Sequence, residues 1–403
     1  MRAMQVMRGT SGPRRILIVH ASVRHPPGGA EQYVVRLAGS LKERGHEVRV
    51  ATARVDGEAL RELEGIDVSV LPVRNVYTPG RSKPPKSARA VWHALDVFNP
   101  SVFPWMRRTI AEFRPDVVHT HNFQGLSGAA FGALRGIGHV HTVHDYSLVD
   151  PRTTLLDDEG SVRANLTGPR RIRARVLRGL LDADTVIFPS RRALEVHRSL
   201  GWRAGGRAEV LSHGWTLPGP RPRRPRRRDG PLRFLFLGML TASKGVDTLL
   251  EAWGADGVAD AELWVAGDGP LRANVETAAA SSPSIRFLGW AAGEDKAGLL
   301  AKSDVLVFPS RWPEVFPLSV AEAYLSGLPV MASRVAHPPP LRDGENGIVV
   351  DGGRGAWRRA MARLAEDPSL LDGFRPGVRS TARELDWDRH VDRLDDLYAG
   401  VLR

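Results

Sequence analysis

The sequence predicts an α/β protein made of two doubly wound parallel-sheet domains that face a central cleft. Its 403 residues exceed the roughly 250 to 300 at which a single hydrophobic core stops growing. Short apolar runs alternate with helical patterns in two separate series, which indicates two parallel sheets covered by helices. One stretch is nearly repeated, as DADTVIFPSRR over 182–192 and as KSDVLVFPSRW over 302–312.

The first series contains six runs that are typical of strands. They are RILIVH (15–20), VRVATA (48–53), VSVLPV (68–73), DVVHTH (116–121), HVHTV (139–143) and DTVIFPS (184–190). Between the first two runs, AEQYVVRLAGSLKERGH has apolar residues at helical spacing and a glycine, Gly45, that ends the helix. We therefore predict a first domain over residues 14–217, after a flexible tail over 1–13.

The second series also contains six strand-like runs. They are LRFLFLG (232–238), AELWVAG (261–267), SIRFLG (284–289), DVLVFPS (304–310), PVMAS (329–333) and GIVV (347–350). We predict a second domain over 231–375. The apolar spacing from Trp387 to Leu402 predicts a C-terminal helix, so residues 376–403 are expected to return to the first domain.

Arginine and proline dominate the residues between the two series. PGPRPRRPRRRDG, over 218–230, has six arginines among four prolines, and proline at this density prevents a helix or a central strand. We interpret it as a solvated linker, with contact to an anionic surface as the alternative. The net charge of +12 does not indicate a nucleic-acid partner, because no helix-turn-helix, zinc-finger or aromatic RNA-binding motif accompanies it.

Cysteine is absent, which excludes disulfides, cysteine-ligated zinc and thiol catalysis. No apolar run approaches the roughly 18 residues of a membrane span. The N-terminal residues also lack the hydrophobic stretch of a signal peptide. We therefore expect a cytoplasmic protein whose chemistry depends on histidine, lysine, arginine and carboxylates.

The repeated stretch predicts the same local structure twice. The aspartate ends a helix, the four apolar residues form a buried parallel strand, and Pro-Ser-Arg turns at the carboxyl end of that strand. Ligands of open α/β sheets bind outside such carboxyl ends, so we expect both turns to face one crevice. The chemistry must then come from residues that differ between the two copies.

Only the second copy continues into PEVFPLSVAEAYLSGLPVMAS, over 313–333. Pro317 suits the first turn of a helix and Gly327 its end. The first backbone amides of this helix would be unpaired donors and thus an anion site. Those amides belong to Phe316, Leu318 and Ser319. Glu314 and Glu322 flank the site, and each carboxylate can accept paired hydrogen bonds from adjacent hydroxyls, which suits a sugar nucleotide.

The spacing of Glu314 and Glu322 in this context resembles the signature of the retaining glycosyltransferases of family 4. The resemblance covers most of the chain. It implies the GT-B fold, which has two Rossmann-like domains, and a nucleotide-diphosphate sugar as donor co-substrate, with no resident cofactor. It also implies that Glu314 contacts the donor sugar and that Glu322 contacts the ribose.

Further motifs are similar to those of the same family. Gly28 and Gly29 allow close backbone approach at the start of a helix, where the resemblance implies contact with the donor phosphate or the acceptor. Lys244 stands in a chain with only six lysines among 57 basic residues, and the resemblance implies that it contacts the diphosphate. The chain departs from the family pattern at Met239, where an arginine is common, and after Ala336, where a glutamate is missing.

Five histidines lie between residues 119 and 144, near the ends of two predicted strands. A zinc site is one alternative, but the alternating spacing favours histidines packed within a sheet. His121 and the pair His144 and Asp145 fall at carboxyl ends of strands, where an imidazole can orient a hydroxyl. The resemblance places these positions near the reacting sugar, so we expect a catalytic role for His121, with Lys244 and Glu314, and an acceptor-side role for His144 and Asp145.

No metal is expected, because the chain has no Asp-x-Asp motif in a strand-end context. The resemblance implies transfer of a hexose-type sugar, with retention, to a hydroxyl acceptor that is a glycan, a lipid-linked sugar or a small molecule. Two rival activities remain open. A phosphorylase or sugar-phosphate synthase would share the motifs, and a catalytically weak partner subunit would fit the departures at Met239 and after Ala336.

The acceptor partner is indicated by one basic amphipathic pattern, over 168–182. Its apolar positions are expected on one side of a helix: Ile172, Val176, Leu177, Leu180 and Leu181. Such a helix either packs on its own sheet or rests on an anionic membrane, which would bring the protein to the inner face of that membrane. The sequence gives no prediction of the oligomeric state.

Overall fold

The computed structural model describes residues 12–23, 28–55, 63–71, 73, 85–157, 159–203, 205–217 and 230–403. The predicted tail over 1–13 and the predicted linker over 218–230 lie almost wholly outside these residues. The described residues form two compact units. The first contains those up to Thr153, Ala164–Ser212 and Asp388–Arg403, and the second contains those of Thr154–Arg163 and His213–Trp387.

Each unit is built on a parallel sheet. The first has seven strands in the order β3-β2-β1-β4-β5-β6-β7, and the second has six in the order β10-β9-β8-β11-β12-β13. The strands are β1 Arg15–His20, β2 Glu47–Thr52, β3 Asp67–Val70, β4 Val117–Thr120, β5 Gly138–Thr142, β6 Thr185–Phe188, β7 Arg207–Val210, β8 Leu232–Leu237, β9 Ala261–Ala266, β10 Ile285–Phe287, β11 Val305–Phe308, β12 Val330–Ser333 and β13 Gly347–Val350. The predicted fold class is confirmed.

The helices follow the strands as expected for doubly wound sheets. They are α1 Gly29–Glu43, α2 Lys86–Val97, α3 Val102–Phe113, α4 Ala129–Gly132, α5 Gly168–Leu180, α6 Arg191–Ser199, α7 Val246–Trp253, α8 Arg272–Ser281, α9 Gly293–Lys302, α10 Leu318–Leu325, α11 Arg354–Glu366, α12 Leu370–Glu384 and α13 Trp387–Ala399. The sequence missed β7, because this edge strand is only partly buried and reads RAEV, with little apolar pattern.

The repeated aspartates join neighbouring strands. Asp184 precedes β6, and its Oδ2 accepts a hydrogen bond from the amide of His139 in the adjacent strand at 2.8 Å. Asp304 precedes β11, and its Oδ2 accepts from the amide of Arg233 in adjacent β8 at 3.0 Å. The expectation that this aspartate ends a helix was wrong. In both copies its carboxylate accepts a hydrogen bond from a backbone amide near the start of the neighbouring strand, and so satisfies that donor.

The last helix, α13, belongs to the first unit. The hydroxyl of Tyr398 shares a 2.7 Å hydrogen bond with Nδ1 of His119 on β4, and Nε2 of His390 shares one of 2.7 Å with the hydroxyl of Tyr33 on α1. All four side chains are buried. The end of the chain therefore completes the core of the unit in which the chain begins.

The boundary predicted at residue 376 differs from the structure. Helix α12 is part of the second unit, and the first unit resumes only at Asp388. Arg342 forms an ion pair of 3.1 Å with Glu384, and Asn346 Nδ2 donates to Thr381 Oγ1 at 2.9 Å. These contacts hold α12 on the second unit, and the apolar spacing of the sequence could not distinguish it from α13.

Helix α5 divides the apolar residues that the sequence assigned to one side. Leu177 is buried, whereas Ile172 and Val176 are 63% and 41% exposed. The inward face is fixed by a charged residue, because buried Arg173 forms an ion pair of 3.0 Å with Asp96, whose side chain is fully buried. None of the described helices is long and apolar enough to cross a membrane.

Histidines line the interior of the first sheet. His119 Nε2 shares a hydrogen bond of 2.7 Å with Thr142 Oγ1, and His139 Nε2 shares one of 2.8 Å with Thr120 Oγ1. Burial lowers the pKa of both His139 and His390 to about 4, because a protonated imidazole in the core is a charge that lacks its hydration shell. These side chains are therefore neutral in the folded protein at neutral pH.

We expect the first unit to lose stability as the pH falls from about 6.5 towards 4. A histidine with a folded pKa below its unfolded value contributes stability above the unfolded value of about 6.5, and this stability is lost as protons bind the unfolded chain. For His139 alone the loss is on the order of 2 kcal/mol at pH 4.5. The measurement is the thermal midpoint as a function of pH, and H139Q should flatten the curve. A midpoint that is constant between pH 6.5 and 4.5 would contradict this.

Candidate active site

Lys244 and Glu314 form a direct ion pair in the second unit. Nζ of Lys244 lies 2.7 Å from Oε1 of Glu314, and their side chains are 22% and 5% exposed. Lys244 ends a short 3₁₀ turn after β8, and Gly245 follows it with a φ of 73°. A Cβ at Gly245 would lie 2.1 Å from the carbonyl oxygen of Pro309, so only glycine allows this turn to pack against the end of β11.

The serine of the second Pro-Ser-Arg turn completes this pair. The hydroxyl of Ser310 donates to Oε1 of Glu314 at 2.7 Å, so the same carboxylate oxygen receives both the ammonium and the hydroxyl. In the first copy of the turn, Ser190 has a different role, because its Oγ accepts from the amide of Ala193 at 3.0 Å and caps α6. The two copies share a backbone path and differ in chemistry.

Helix α10 begins four residues beyond Glu314, at Leu318. Pro317 has an extended backbone and directly precedes the first residue of α10. It therefore lies just before the first helical turn, whereas the sequence predicted it within that turn. No side chain caps the amides of Leu318 and Ser319, which leaves the positive end of the helix open to an anion. The ring of Phe316 packs edge-on against His213 at 5.0 Å between ring centroids.

Glu322, inside α10, is bound by two residues that the sequence did not identify. Lys296 Nζ lies 2.5 Å from Oε1 of Glu322, and the indole Nε1 of Trp215 donates to the same oxygen at 3.3 Å. Trp215 ends the segment SHGW, over 212–215. The one available signal was the scarcity of lysine, which applies to Lys296 as it does to Lys244.

The glycines after β1 lie at the start of α1. Gly28 is the residue before this helix and Gly29 is its first residue. No side chain caps this helix start, and Glu31 is the acidic residue of its first turn. A Cβ at Gly28 would approach Oε2 of Glu31 to 2.6 Å, so glycine leaves room for that carboxylate. Residues 24–27 of the same loop lie outside the described residues.

His121 and His144 are in contact in the first unit. Nδ1 of His121 lies 2.9 Å from Nε2 of His144, and the ring of Tyr33 packs edge-on against both imidazoles. Burial lowers the pKa of His144 to about 3 and holds the pKa of His121 well below its usual range. Both rings are therefore neutral, and a neutral imidazole carries one hydrogen-bond donor and one acceptor.

Asp145 follows this histidine pair. Its Oδ1 accepts a hydrogen bond from the amide of Ser147 at 2.8 Å, which forms a local turn. Burial raises the pKa of Asp145. Within the described parts of the chain, no group of three or more histidines and carboxylates is placed to hold a metal ion. The histidines instead pair with tyrosine, threonine and one another.

Met239, where the family pattern commonly has an arginine, lies just after the carboxyl end of β8 and is exposed. The turn GDGP, over 267–270, follows β9 and packs closely on the residue after β8, because a Cβ at Gly267 would lie 1.9 Å from the carbonyl oxygen of Gly238. Of the predicted site residues, Lys244 and Glu314 touch, Glu322 lies eight residues beyond Glu314 in the sequence, and His121 touches His144.

The chain matches two family profiles in succession. Residues 27–217 match "Glycosyltransferase Family 4" and residues 231–367 match "Glycosyl transferases group 1". A curated relative, the D-inositol 3-phosphate glycosyltransferase of Thermomonospora curvata, is 29% identical over 431 aligned positions that cover 95% of this chain and 94% of the relative.

Two solved structures have the same fold. The Anabaena protein Alr3699/HepE in complex with UDP-glucose has a TM-score of 0.70 at 18% identity, covering 96% of this chain and 100% of that one. Sucrose-phosphate synthase from Thermosynechococcus elongatus has a TM-score of 0.70 at 20% identity, covering 96% of this chain and 98% of that one. The chain carries both of these glycosyltransferase domains and is a glycosyltransferase with the GT-B fold.

Proposed function

We propose that the protein is a retaining glycosyltransferase that moves a hexose-type sugar from a nucleotide-diphosphate sugar to a hydroxyl acceptor without a metal ion. The observation that carries this proposal is the ion pair of Lys244 with Glu314 beside the uncapped start of α10. A structural neighbour was solved with UDP-glucose, and a relative is named as a glycosyltransferase of an inositol phosphate, which support this donor class and a hydroxyl acceptor.

The donor's diphosphate would meet positive charge from two sources. The ammonium of Lys244 is a compact cation, and the amides of Leu318 and Ser319 point outward from the helix start. Negative charge grows on the diphosphate as the glycosidic bond breaks, so these fixed groups stabilise the leaving group more in the transition state than in the ground state. This electrostatic role replaces the one that a metal ion would have.

Two carboxylates would position the rest of the donor. Oε1 of Glu314 already accepts from Lys244 and Ser310, and its Oε2 would accept from hydroxyls of the sugar. Glu322 would accept from the hydroxyls of the ribose. In the first unit, Gly28 and Gly29 would allow close approach of a phosphate or of the acceptor, and the neutral imidazoles of His121 and His144, with Asp145, would orient hydroxyls of the sugars.

The outer face of α5 is the second part of the proposal. Ile172 and Val176 are exposed on a helix that also exposes Arg171, Arg175 and Arg178. Apolar residues flanked by arginines fit the boundary between the headgroups and the acyl chains of an anionic bilayer. We propose that this face makes peripheral contact with such a membrane, which favours a lipid-linked acceptor.

Donor identity is tested with a panel of UDP-, GDP-, ADP- and TDP-sugars. The sugar nucleotide that raises the thermal midpoint identifies the base and the sugar, because only binding to the folded form stabilises the protein. Transfer to an acceptor with retained anomeric configuration, in the presence of a chelator, is the expected result. Turnover that requires inorganic phosphate or a sugar phosphate would indicate a phosphorylase or synthase. Donor binding without transfer would indicate a partner subunit.

We expect K244M and E314Q each to lower kcat/KM for transfer by at least about 100-fold, since each removes a fixed charge from the donor site. K302M is the matched control, because it removes an exposed lysine of α9 from the same unit. Initial rates with the donor found in the panel, together with the thermal midpoint of each variant, provide the measurement. A folded K244M variant with wild-type rates is incompatible with the proposed mechanism.

Membrane contact is tested by sedimentation with vesicles of phosphatidylglycerol. The double variant I172S/V176S should reduce the bound fraction at least about tenfold, because each aliphatic side chain contributes on the order of 1 kcal/mol when it enters the acyl region. L402S is the control, since Leu402 is also exposed and lies on the same unit. Equal binding of the double variant and the wild type, or no binding of the wild type, would refute the membrane proposal.

A further inference from the structure

The carboxylate of Glu322 is the most enclosed charged group of the candidate donor site. Its side chain is 3% exposed, and both of its side-chain partners reach one oxygen. Lys296 Nζ and Trp215 Nε1 both approach Oε1, at 2.5 Å and 3.3 Å. The second oxygen, Oε2, is left for other hydrogen-bond donors.

Both partners are themselves held in place. Lys296 projects from α9, and its side chain is 17% exposed. Trp215 is buried; its backbone amide donates to the carbonyl oxygen of Leu385 at 2.9 Å, and its ring meets the ring of Trp387 edge-on at 6.4 Å. Two separate segments of the second unit therefore converge on one carboxylate oxygen of α10.

A buried carboxylate needs partners, because transfer of an unpaired charge from water into the protein is costly. The ammonium of Lys296 supplies the opposite charge, and the indole of Trp215 supplies a directed donor that fixes the plane of the carboxylate. Glu314 is held in the same way, with Lys244 and Ser310 on its Oε1. Two of the six lysines in the chain thus serve the two glutamates of one motif.

We infer that Lys296 and Trp215 are positioning residues that fix Glu322 with one oxygen directed at the vicinal hydroxyls of the donor ribose. This inference rests on the proposed function. Held in this way, Glu322 recognises both the 2′- and the 3′-hydroxyl and selects ribonucleotide donors over their 2′-deoxy counterparts. Without the pair, the carboxylate loses its fixed orientation, and the 2′-hydroxyl no longer contributes to affinity.

The experiment compares the dissociation constants of UDP and 2′-deoxy-UDP by calorimetry, with GDP and ADP and their 2′-deoxy forms in parallel. The wild type should bind the ribose form of its nucleotide at least about tenfold more tightly, the range expected for one hydrogen bond to a charged group. K296M should weaken binding of the ribose form about tenfold and leave the 2′-deoxy form nearly unchanged, so that the ratio falls towards one. W215F, which keeps an aromatic ring at this position and loses the N–H, should reduce the ratio in part.

K302M is the matched control, because it removes a lysine from the last position of the same helix and should keep the wild-type ratio. If K296M weakens both nucleotides equally, or changes only the thermal midpoint, Lys296 has a structural role and the inference is overturned. If the wild type binds a nucleotide without discriminating against its 2′-deoxy form, Glu322 does not read the ribose, and the inference fails while donor binding stands. If no nucleotide binds, the proposed function fails as well.

Discussion

The second unit depends on one electrostatic constraint: two glutamates are almost completely buried, and each needs a cation. Glu314 receives Lys244, and Glu322 receives Lys296. The energetic cost of a buried carboxylate explains the structure around these pairs, since loss of either ammonium would leave a charge with too few partners. It explains the glycine turn at Gly245, which brings Lys244 to the end of β11, and the path of the chain at Trp215, which brings an indole N–H to α10.

The same constraint explains how a repeated sequence acquired two roles. In the first copy, helix α6 starts directly after Ser190, and the serine hydroxyl is used as its cap. In the second copy, seven residues separate Ser310 from the first residue of α10, so the hydroxyl donates instead to Glu314. The residues that follow the turn, rather than the turn itself, determine whether a strand end carries chemistry.

The sequence predicted the two parallel sheets because their buried strands are nearly continuous apolar runs, a pattern that depends on local composition alone. Strand β7 was not predicted, because a half-exposed edge strand has no continuous apolar run. The two glutamates could be placed beside the start of one helix from the sequence, since they are close in it. Lys296 and Trp215 could not, because they lie 26 and 107 positions from Glu322 and only tertiary packing brings them to it.

The choice of lysine at both glutamates fits the proposed function, in which one oxygen of each carboxylate must remain available to a ligand. Arginine is the usual cation of this chain, and its planar guanidinium tends to occupy both oxygens of a carboxylate. An ammonium can satisfy one oxygen and leave the other for a ligand. At the purely structural pair of Arg173 with Asp96 no oxygen needs to be kept for a ligand, and there the chain uses arginine. Under the proposed function, lysine accompanies the two carboxylates that bind the donor, whereas arginine accompanies Asp96, which holds the fold together.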